Sequence, residues 1–474
     1  MIAAHPAAGE AAVPPSTLPN TAPFRGIIGF SRLNSEAHRH PMVIVRGEGI
    51  RLFDTYGREY VDGVANFYSA SLGFSDPELI EAAKDQLGRI ANFSMLSHRL
   101  SEPTEALAER LADLVPLEKA HIGFATSGSE ANEAILKFLA LRDAHQGRAG
   151  QGIAISRWNS YHGSTQATAS LGGGSNVHRA FNLEMADRRF LTQPDFDEHA
   201  RPGETEGAFV ERLVDELRSL VEMEGPSRIS SFFAEPISVS AGVAVPPEGY
   251  FAGVQEVLRA HGIPFVDDEV ITGFWKLGTR FGAGRFGLAP DAVTLAKGIN
   301  SGYCPLGVFA LSEALYEEIS EAADAGGFLM HGGTYHGHPL ACAIALKCLE
   351  IYETRDIPGH VARVSQVFAR RLDELHAHPL VISVRYSGLL GGIKVDRGIM
   401  GMRSEGLAPR LVAAALEDGL ILRSSAGCVV VAPPLIIREN EIDELFDRFQ
   451  RALQRVAAEA GPSFQSFGIE PSTA

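Results

Sequence analysis

Residues 263–312 read IPFVDDEVITGFWKLGTRFGAGRFGLAPDAVTLAKGINSGYCPLGVFALS, and the short apolar runs within this stretch decide the fold. IPFVDDEV, AVTLAK and PLGVFALS are each about a strand long, with glycine-rich or polar segments between them. Working toward the N-terminus, the same rhythm continues through ISSFFAEPI at 229–237, GIAIS at 152–156 and HIGFAT at 121–126. Helical patterns fill the intervals, one running through Phe251, Val254, Val257 and Leu258 and closed by Gly262. Strands alternating with helices over 120–312 predict an α/β fold with a mostly parallel sheet covered by helices on both faces.

The flanks read differently. MVIVRGEGIRLFDTYGREYVDGVANF, residues 42–67, alternates in strand fashion and is broken by turn signals at Gly47-Glu48-Gly49 and Tyr56-Gly57. Asp76-Pro77-Glu78 marks a helix start, followed by Leu79, Ala83 and Leu87 on one face. Beyond 340, amphipathic helices at 341–354, 360–378, 407–418 and 440–459 are interrupted by the strands LVISVRYSGLLGGIKV and CVVVAPPLII. In the last helix Ile442, Leu445, Phe446, Phe449, Leu453 and Val456 form one apolar stripe. The expected organisation is a flexible Ala- and Pro-rich arm over 1–23 and an N-terminal segment over 24–75 that joins the small domain. A large domain over 76–340 and a smaller α+β domain over 341–474 complete it.

The 474 residues suffice for two to three domains, and 42 Lys and Arg against 58 Asp and Glu give a net charge of −16. A surface this acidic repels phosphate backbones, which argues against nucleic-acid binding as the main role. No apolar run approaches the roughly 18–20 residues that span a bilayer, and the N-terminus lacks the basic start and apolar stretch of a signal peptide. Cys304, Cys342, Cys348 and Cys428 are too few for a disulfide framework and form no CxxC pair, so buried thiols in a cytoplasmic protein are expected.

Gly282-Ala-Gly284-Arg-Phe-Gly287 matches the dinucleotide pattern GxGxxG, but it neither follows a buried strand nor opens a long helix, and a loop is expected there. A better anion site is Thr126-Ser127-Gly128-Ser129-Glu130-Ala131-Asn132-Glu133, which follows a strand and opens a helix. Helix N-termini offer unpaired N–H groups, although simple capping by Ser127 or Ser129 explains the same residues. Asp267-Asp268-Glu269-Val270 ends a predicted buried strand, on the side where α/β folds bind ligands. Lys297 ends AVTLAK, and a lysine leaving a buried strand is a Schiff-base candidate. Tyr161-His162-Gly163 offers an aromatic face after GIAIS. A phosphate cradle, an acid for a cationic ring nitrogen and a Schiff-base lysine together describe pyridoxal 5′-phosphate.

The blocks AEPISVSAGVAVPPEGYF, VDDEVITGF, FGLAPDAVTLAKGINSGYCPLG and HGGTYHGHPLACA, in this order, resemble the class III aminotransferases of pyridoxal-phosphate fold type I. The likeness runs from about residue 40 to 455 and is greatest to the ω-transaminases, which pass amino groups from amines or ω-amino acids to pyruvate. It implies a seven-stranded sheet in the large domain and a ping-pong reaction in which Lys297 holds the cofactor as an internal aldimine and then moves the proton. It pairs Asp268 with the pyridinium nitrogen, packs Val270 and Tyr161 (with His162 beside it) on the ring, and assigns the phosphate to Ser127, Gly128 and Ser129. Glu235 would help order the site. Thr334 would reach the phosphate of a neighbouring subunit in a homodimer. Arg423, ten residues before Pro433, matches a mobile arginine that grips a substrate carboxylate, and Phe67 and Tyr68 fall where the family lines its substrate pocket. His331, His336 and His338 lie in this phosphate-binding block, and no metal is expected.

The chain also departs from the family pattern. Ser238-Val239-Ser240-Ala241-Gly242 replaces a common Gln-Gly-Glu-Gly-Gly. Ser240 thus stands where ornithine and 4-aminobutyrate aminotransferases carry a glutamate that neutralises a carboxylate-binding arginine, which argues against those two specificities. Ile271 replaces a glutamine that can bond the ring hydroxyl, and Trp275 replaces a glycine. The same cofactor also serves aminomutases, epimerases and decarboxylating transaminases. The aminomutases typically carry SGTEA where this chain has Ser127-Gly128-Ser129-Glu130-Ala131. A non-catalytic protein of this fold would not need Lys297, Asp268 and that turn together.

Overall fold

The computed structural model describes residues 23–148, 152–395 and 406–460. The expected N-terminal arm up to residue 22 and the tail from 461 lie outside the described residues. Gly49 and Gly57, at φ of 56° and 79°, take the backbone turns that divide the alternating N-terminal stretch. The strands so formed are β1 (Ile44–Glu48), β2 (Arg51–Asp54) and β3 (Glu59–Asp62), paired antiparallel in sequence order. The strand expected to run on to Phe67 stops at Asp62. Its carboxylate accepts hydrogen bonds from the N–H groups of Val64, at 2.9 Å, and Asn66, at 2.6 Å. A side chain that bonds the backbone a few residues on competes with a ladder and turns the chain back.

The large sheet consists of β4 (His121–Ala125), β5 (Ile153–Arg157), β6 (Arg188–Leu191), β7 (Ile229–Ala234), β8 (Phe265–Asp268), β9 (Ala292–Leu295) and β10 (Gly307–Leu311). Its order is β4-β10-β9-β8-β7-β5-β6, with β10 antiparallel to both neighbours and the other pairs parallel. Every residue of β5, β7, β8, β9 and β10 is buried, because helices cover both faces; that is why these strands read as continuous apolar runs. The edge strand β6, RRFL, was not apparent from the sequence, since an edge strand needs no such run. Because β10 runs against both β4 and β9, the C-terminal ends of β4, β5, β7, β8 and β9 share one rim.

In the C-terminal part, β11 (Ser383–Ser387), β12 (Leu390–Lys394), β14 (Arg423–Ser425) and β15 (Cys428–Val431) form an antiparallel sheet of order β11-β12-β15-β14. The short β13 (Leu420–Ile421) instead lies parallel to β3, so the two ends of the chain share a sheet. Helices Ile357–Glu374, Leu407–Glu417 and Glu439–Ala460 cover this region, and the six apolar residues of the last one are buried. Helix Pro339–Thr354 straddles residue 340 and packs on helices Pro77–Arg89 and Glu102–Ala112. Tyr352 anchors it by donating to the Gly298 carbonyl at 2.6 Å. Leu79 is fully buried, whereas Leu87, expected on the same apolar face, is exposed near the helix end. The GxGxxG segment is a short helix, Gly282–Phe286, and not a loop, because Glu269 accepts the Ala283 N–H at 2.7 Å. Among the described residues no helix is long and apolar enough to cross a membrane.

Gly307 opens β10 against the turn after β4, where a Cβ would stand 2.2 Å from the Ser127 carbonyl oxygen. Gly307→Ala therefore has to displace backbone, and an overpacking loss of about 1–3 kcal/mol is expected in urea unfolding. An unchanged midpoint would show that the turn gives way freely.

Candidate active site

Five segments follow the shared rim of strand ends, the place where open α/β sheets bind ligands. After β4, helix Gly128–His145 begins with Ser127 as its cap, the hydroxyl accepting the Glu130 N–H at 3.2 Å. Glu130 reaches back to accept the Thr126 N–H at 2.7 Å. Capping is thus real, but it occupies the Glu130 amide and leaves those of Gly128 and Ser129 facing outward from the first turn. A Cβ on Gly128 would stand 2.8 Å from Val270 Cγ2, so glycine lets the turn close on the wall after β8. Ser129 Oγ accepts the Ser164 N–H at 3.1 Å, tying this turn to the segment after β5.

Asp268 ends β8 almost fully buried. It accepts from Asn132 Nδ2 at 2.8 Å, His162 Nδ1 at 2.9 Å and the Val270 N–H at 3.1 Å. Burial alone depresses the His162 imidazole, but Glu235 and Asp268 outweigh it and raise the pKa above the ordinary value, favouring the protonated ring. Glu235, after β7, accepts from Arg157 Nη2 at 3.1 Å, from the Tyr161 N–H at 3.0 Å and from Ser238 Oγ at 3.0 Å. The bond from its own N–H fixes the backbone of Tyr161, a residue 43% exposed. The flanking carboxyls differ in kind. Burial and the adjacent Glu269 push Asp267 well above the carboxylate range, whereas Asp268 has the His162 ring at 2.9 Å.

Lys297 follows β9 at φ 50°, a left-handed backbone that disfavours a side chain and here marks a constrained turn. Burial pulls its pKa from 10.5 down to about 8, Asp268 opposing this and Arg423 adding to it. Its Nζ lies 5.4 Å from the centroid of the Tyr68 ring. On β14, Arg423 Cζ stands 4.4 Å from the Phe67 ring centroid and 5.8 Å from that of Phe30. Burial raises the Tyr161 phenol, Ser164 and Arg423 lower it, and Asp268 adds to the rise, so one field joins these groups. Arg423 has no carboxylate partner among the described residues. Ser240 bonds the Asn159 carbonyl at 2.8 Å, and its own carbonyl accepts from Ser425 at 2.7 Å, holding β14 to the rim.

Thr334 is exposed, in the turn 334–337, outside the hydrogen bonds that join the rim residues. His331 Nδ1 lies 3.1 Å from Lys137 Nζ, and His336 Nε2 lies 3.8 Å from Glu130 Oε2. Among the described residues no three His, Cys, Asp or Glu side chains converge as a metal site. The sequence placed Asn132 in the Thr126–Glu133 stretch without its role at Asp268 and did not single out Arg157, because each serves a carboxylate 136 or 78 positions away. The only available signal was that a buried charge needs partners.

The donor set fits pyridoxal phosphate. First-turn amides at Gly128 and Ser129 suit a phosphate, Asp268 suits a ring N–H, and Lys297 is an amine of lowered pKa. With Lys297 titrating near 8, its capture of added pyridoxal phosphate by the cofactor-free protein should rise about tenfold per pH unit below 8 and level off above. Borohydride trapping and intact mass measure this, and a rise continuing toward 10.5 would mean a solvated lysine.

The chain is similar to known proteins over most of its length. Residues 33–453 match the family described as aminotransferase class-III. The chain is 36% identical over 419 residues to gamma aminobutyrate transaminase 3, chloroplastic, of Solanum lycopersicum, covering 87% of this chain and 81% of that protein. A thermostable omega transaminase six-fold mutant from Pseudomonas jessenii superposes with a TM-score of 0.88 at 33% identity, covering 92% of this chain and 98% of that one. A PMP-bound aminotransferase from Vibrio fluvialis gives a TM-score of 0.88 at 32% identity, covering 92% and 97%. The chain therefore belongs to the class III aminotransferases, pyridoxal-phosphate enzymes of fold type I.

Proposed function

We propose that this enzyme moves an amino group from an amine or ω-amino acid to a keto acid, pyruvate foremost, in two half-reactions at one site. The observation that carries the substrate side is Arg423, a guanidinium over Phe67 with no carboxylate of the described chain to neutralise it. Such a group grips a substrate carboxylate with two charge-assisted hydrogen bonds, and the half-exposed Phe67 takes the apolar part of an uncharged donor. Ser240, engaged with the Asn159 carbonyl, offers no charge that would switch Arg423 off.

Bound at the rim, pyridoxal phosphate supplies an electrophilic carbonyl and an electron-accepting ring. Ser127, Gly128 and Ser129 would hold its phosphate, Val270 and Tyr161 would bracket its ring, and Asp268 would pair with its ring nitrogen. His162 supports Asp268, and Glu235 holds the Tyr161 backbone. Lys297 Nζ would hold the cofactor through its amine and, when free, would serve as the base that takes the proton from the donor Cα. Its lowered pKa leaves much of the amine neutral near pH 8, as a base requires. The exposed Phe328, Met330 and Tyr335 beside Thr334 support a homodimer in which Thr334 reaches the neighbouring subunit's phosphate. We place the protein in the cytoplasm on its cysteine usage, while several relatives are named as chloroplastic or mitochondrial.

A panel of amines and ω-amino acids, 4-aminobutyrate included, against pyruvate and 2-oxoglutarate tests this reading. Donor alone should bleach the cofactor absorbance and keto acid restore it. A donor that isomerises with no keto acid present would make the enzyme an aminomutase or epimerase. Lys297→Ala should cut turnover about 1,000-fold or more while retaining cofactor non-covalently, and wild-type rates would remove its role. For Arg423→Ala, kcat/KM should fall about 10- to 100-fold for carboxylate substrates and far less for plain amines. Equal losses would show that Arg423 does not read the carboxylate.

A further inference from the structure

Lys276 is a second lysine in the interior, only 1% exposed, and the reaction leaves it unused. Its Nζ donates to the Pro433 carbonyl at 2.8 Å, and the field of Asp62, itself 1% exposed, acts on it. Asp62 receives the Val64 and Asn66 N–H groups described above. Those bonds open a backbone of a kind rare for side-chain-bearing residues. Ala65, Asn66, Phe67 and Tyr68 stand consecutively at φ of 46°, 48°, 58° and 71°, and none is glycine. A left-handed run of L-residues persists only where its surroundings over-determine it.

Those surroundings are visible. Tyr68 N–H donates to the Val64 carbonyl at 2.7 Å, and Ser69 Oγ donates to the Asn66 carbonyl at 2.8 Å. The segment after β15 brackets the turn, Ala432 N–H donating to the Gly63 carbonyl at 2.7 Å and Leu435 N–H to the Ser71 carbonyl at 2.8 Å. Pro433, held by Lys276, lies between those two bonds. In an extended strand Phe67 and Tyr68 would point to opposite faces. The turn brings both to the rim, Phe67 under Arg423 and Tyr68 beside Lys297.

The geometry points to Lys276 and Asp62 as positioning residues that hold the left-handed turn 65–68 and so decide which amino donors the pocket accepts. The inference rests on the reading of Arg423 and Phe67 as substrate contacts. Lys276 pins the Pro433 carbonyl between the two bonds that bracket the turn, while Asp62 holds the turn's own N–H groups, so losing either side chain loosens the same turn from its own side.

The test uses the full-length, cofactor-loaded enzyme with pyruvate as acceptor, and 1-phenylethylamine and β-alanine as donors. In Lys276→Met, which keeps the side-chain length, the cofactor absorbance should be retained. The ratio of the two donors' KM values should shift about tenfold, with kcat moving less than KM. Hydrogen exchange at the Val64 and Asn66 amides should accelerate by about tenfold or more, while that of the β7 and β8 amides stays unchanged. Asp62→Asn, which keeps the shape and one acceptor oxygen, should shift the same ratio in the same direction, and the double variant should add little to either. If Lys276→Met does not fold, Asp62→Asn alone decides on both readouts. An unchanged KM ratio with unchanged exchange overturns the inference, as does an equal fall in kcat/KM for both donors accompanied only by a lower Tm. A wild-type enzyme that turns over neither donor would count against the proposed function instead, and the exchange measurement would then decide for or against the turn.

Discussion

A carboxylate held out of water at the end of β8 constrains the site more than any other group. Asp268 is 4% exposed and accepts from a helix side chain, a loop imidazole and the backbone two residues on. An ionised carboxylate in a low-dielectric interior is tolerated only when such partners are in place. Supplying them fixes the helix after β4 and the loop after β5 relative to β8. Asn132 makes the coupling explicit, since its Nδ2 donates both to Asp268 and to the His162 carbonyl, each at 2.8 Å. The charges continue behind it, His162 facing Glu235 at 3.8 Å and Glu235 meeting Arg157 at 3.1 Å. Acid and base alternate along this row, so each buried charge stands beside its opposite.

On the other side of the site the same low dielectric acts in reverse. Lys297 has Asp268 in its field but also Arg423, and burial prevails, leaving the amine readily deprotonated. The turn that presents it is backed by Gly298, whose Cβ position lies 3.1 Å from Ser71 Oγ and 3.3 Å from Phe274 Cβ. A chain of net charge −16 thus gathers a helix N-terminus, a lysine and an arginine, the local features that would suit an anion. Screening over roughly 8 Å at physiological salt lets such local fields outweigh the distant surface charge.

Much of the fold was legible in the sequence because burial on both faces leaves a mark in composition. The central strands are buried from end to end and carry short apolar runs, and Lys297 and the Asp267–Glu269 triplet stand out as charges where such runs stop. The edge strand β6 left no mark, since solvent on one side accommodates Arg188 and Arg189. The segment Val64–Phe67 was misread as strand because its alternation of residue types is real, while the hydrogen bonds from Asp62 that overrule it depend on a side chain's reach.

By itself the sequence determined the buried strands of the large sheet with the helices between them, the lysine and carboxylate at the strand ends, and the glycine in the turn after β4. Each follows from a local rule of burial, capping or backbone freedom. Only the tertiary structure decided which of the three consecutive carboxylates meets Asn132 and His162, that Arg157 meets Glu235, and that Phe67 lies under Arg423 from the far end of the chain. These are contacts between residues 78 to 356 positions apart. A charge must find its partner in three dimensions, and no periodicity along the chain records where that partner will be.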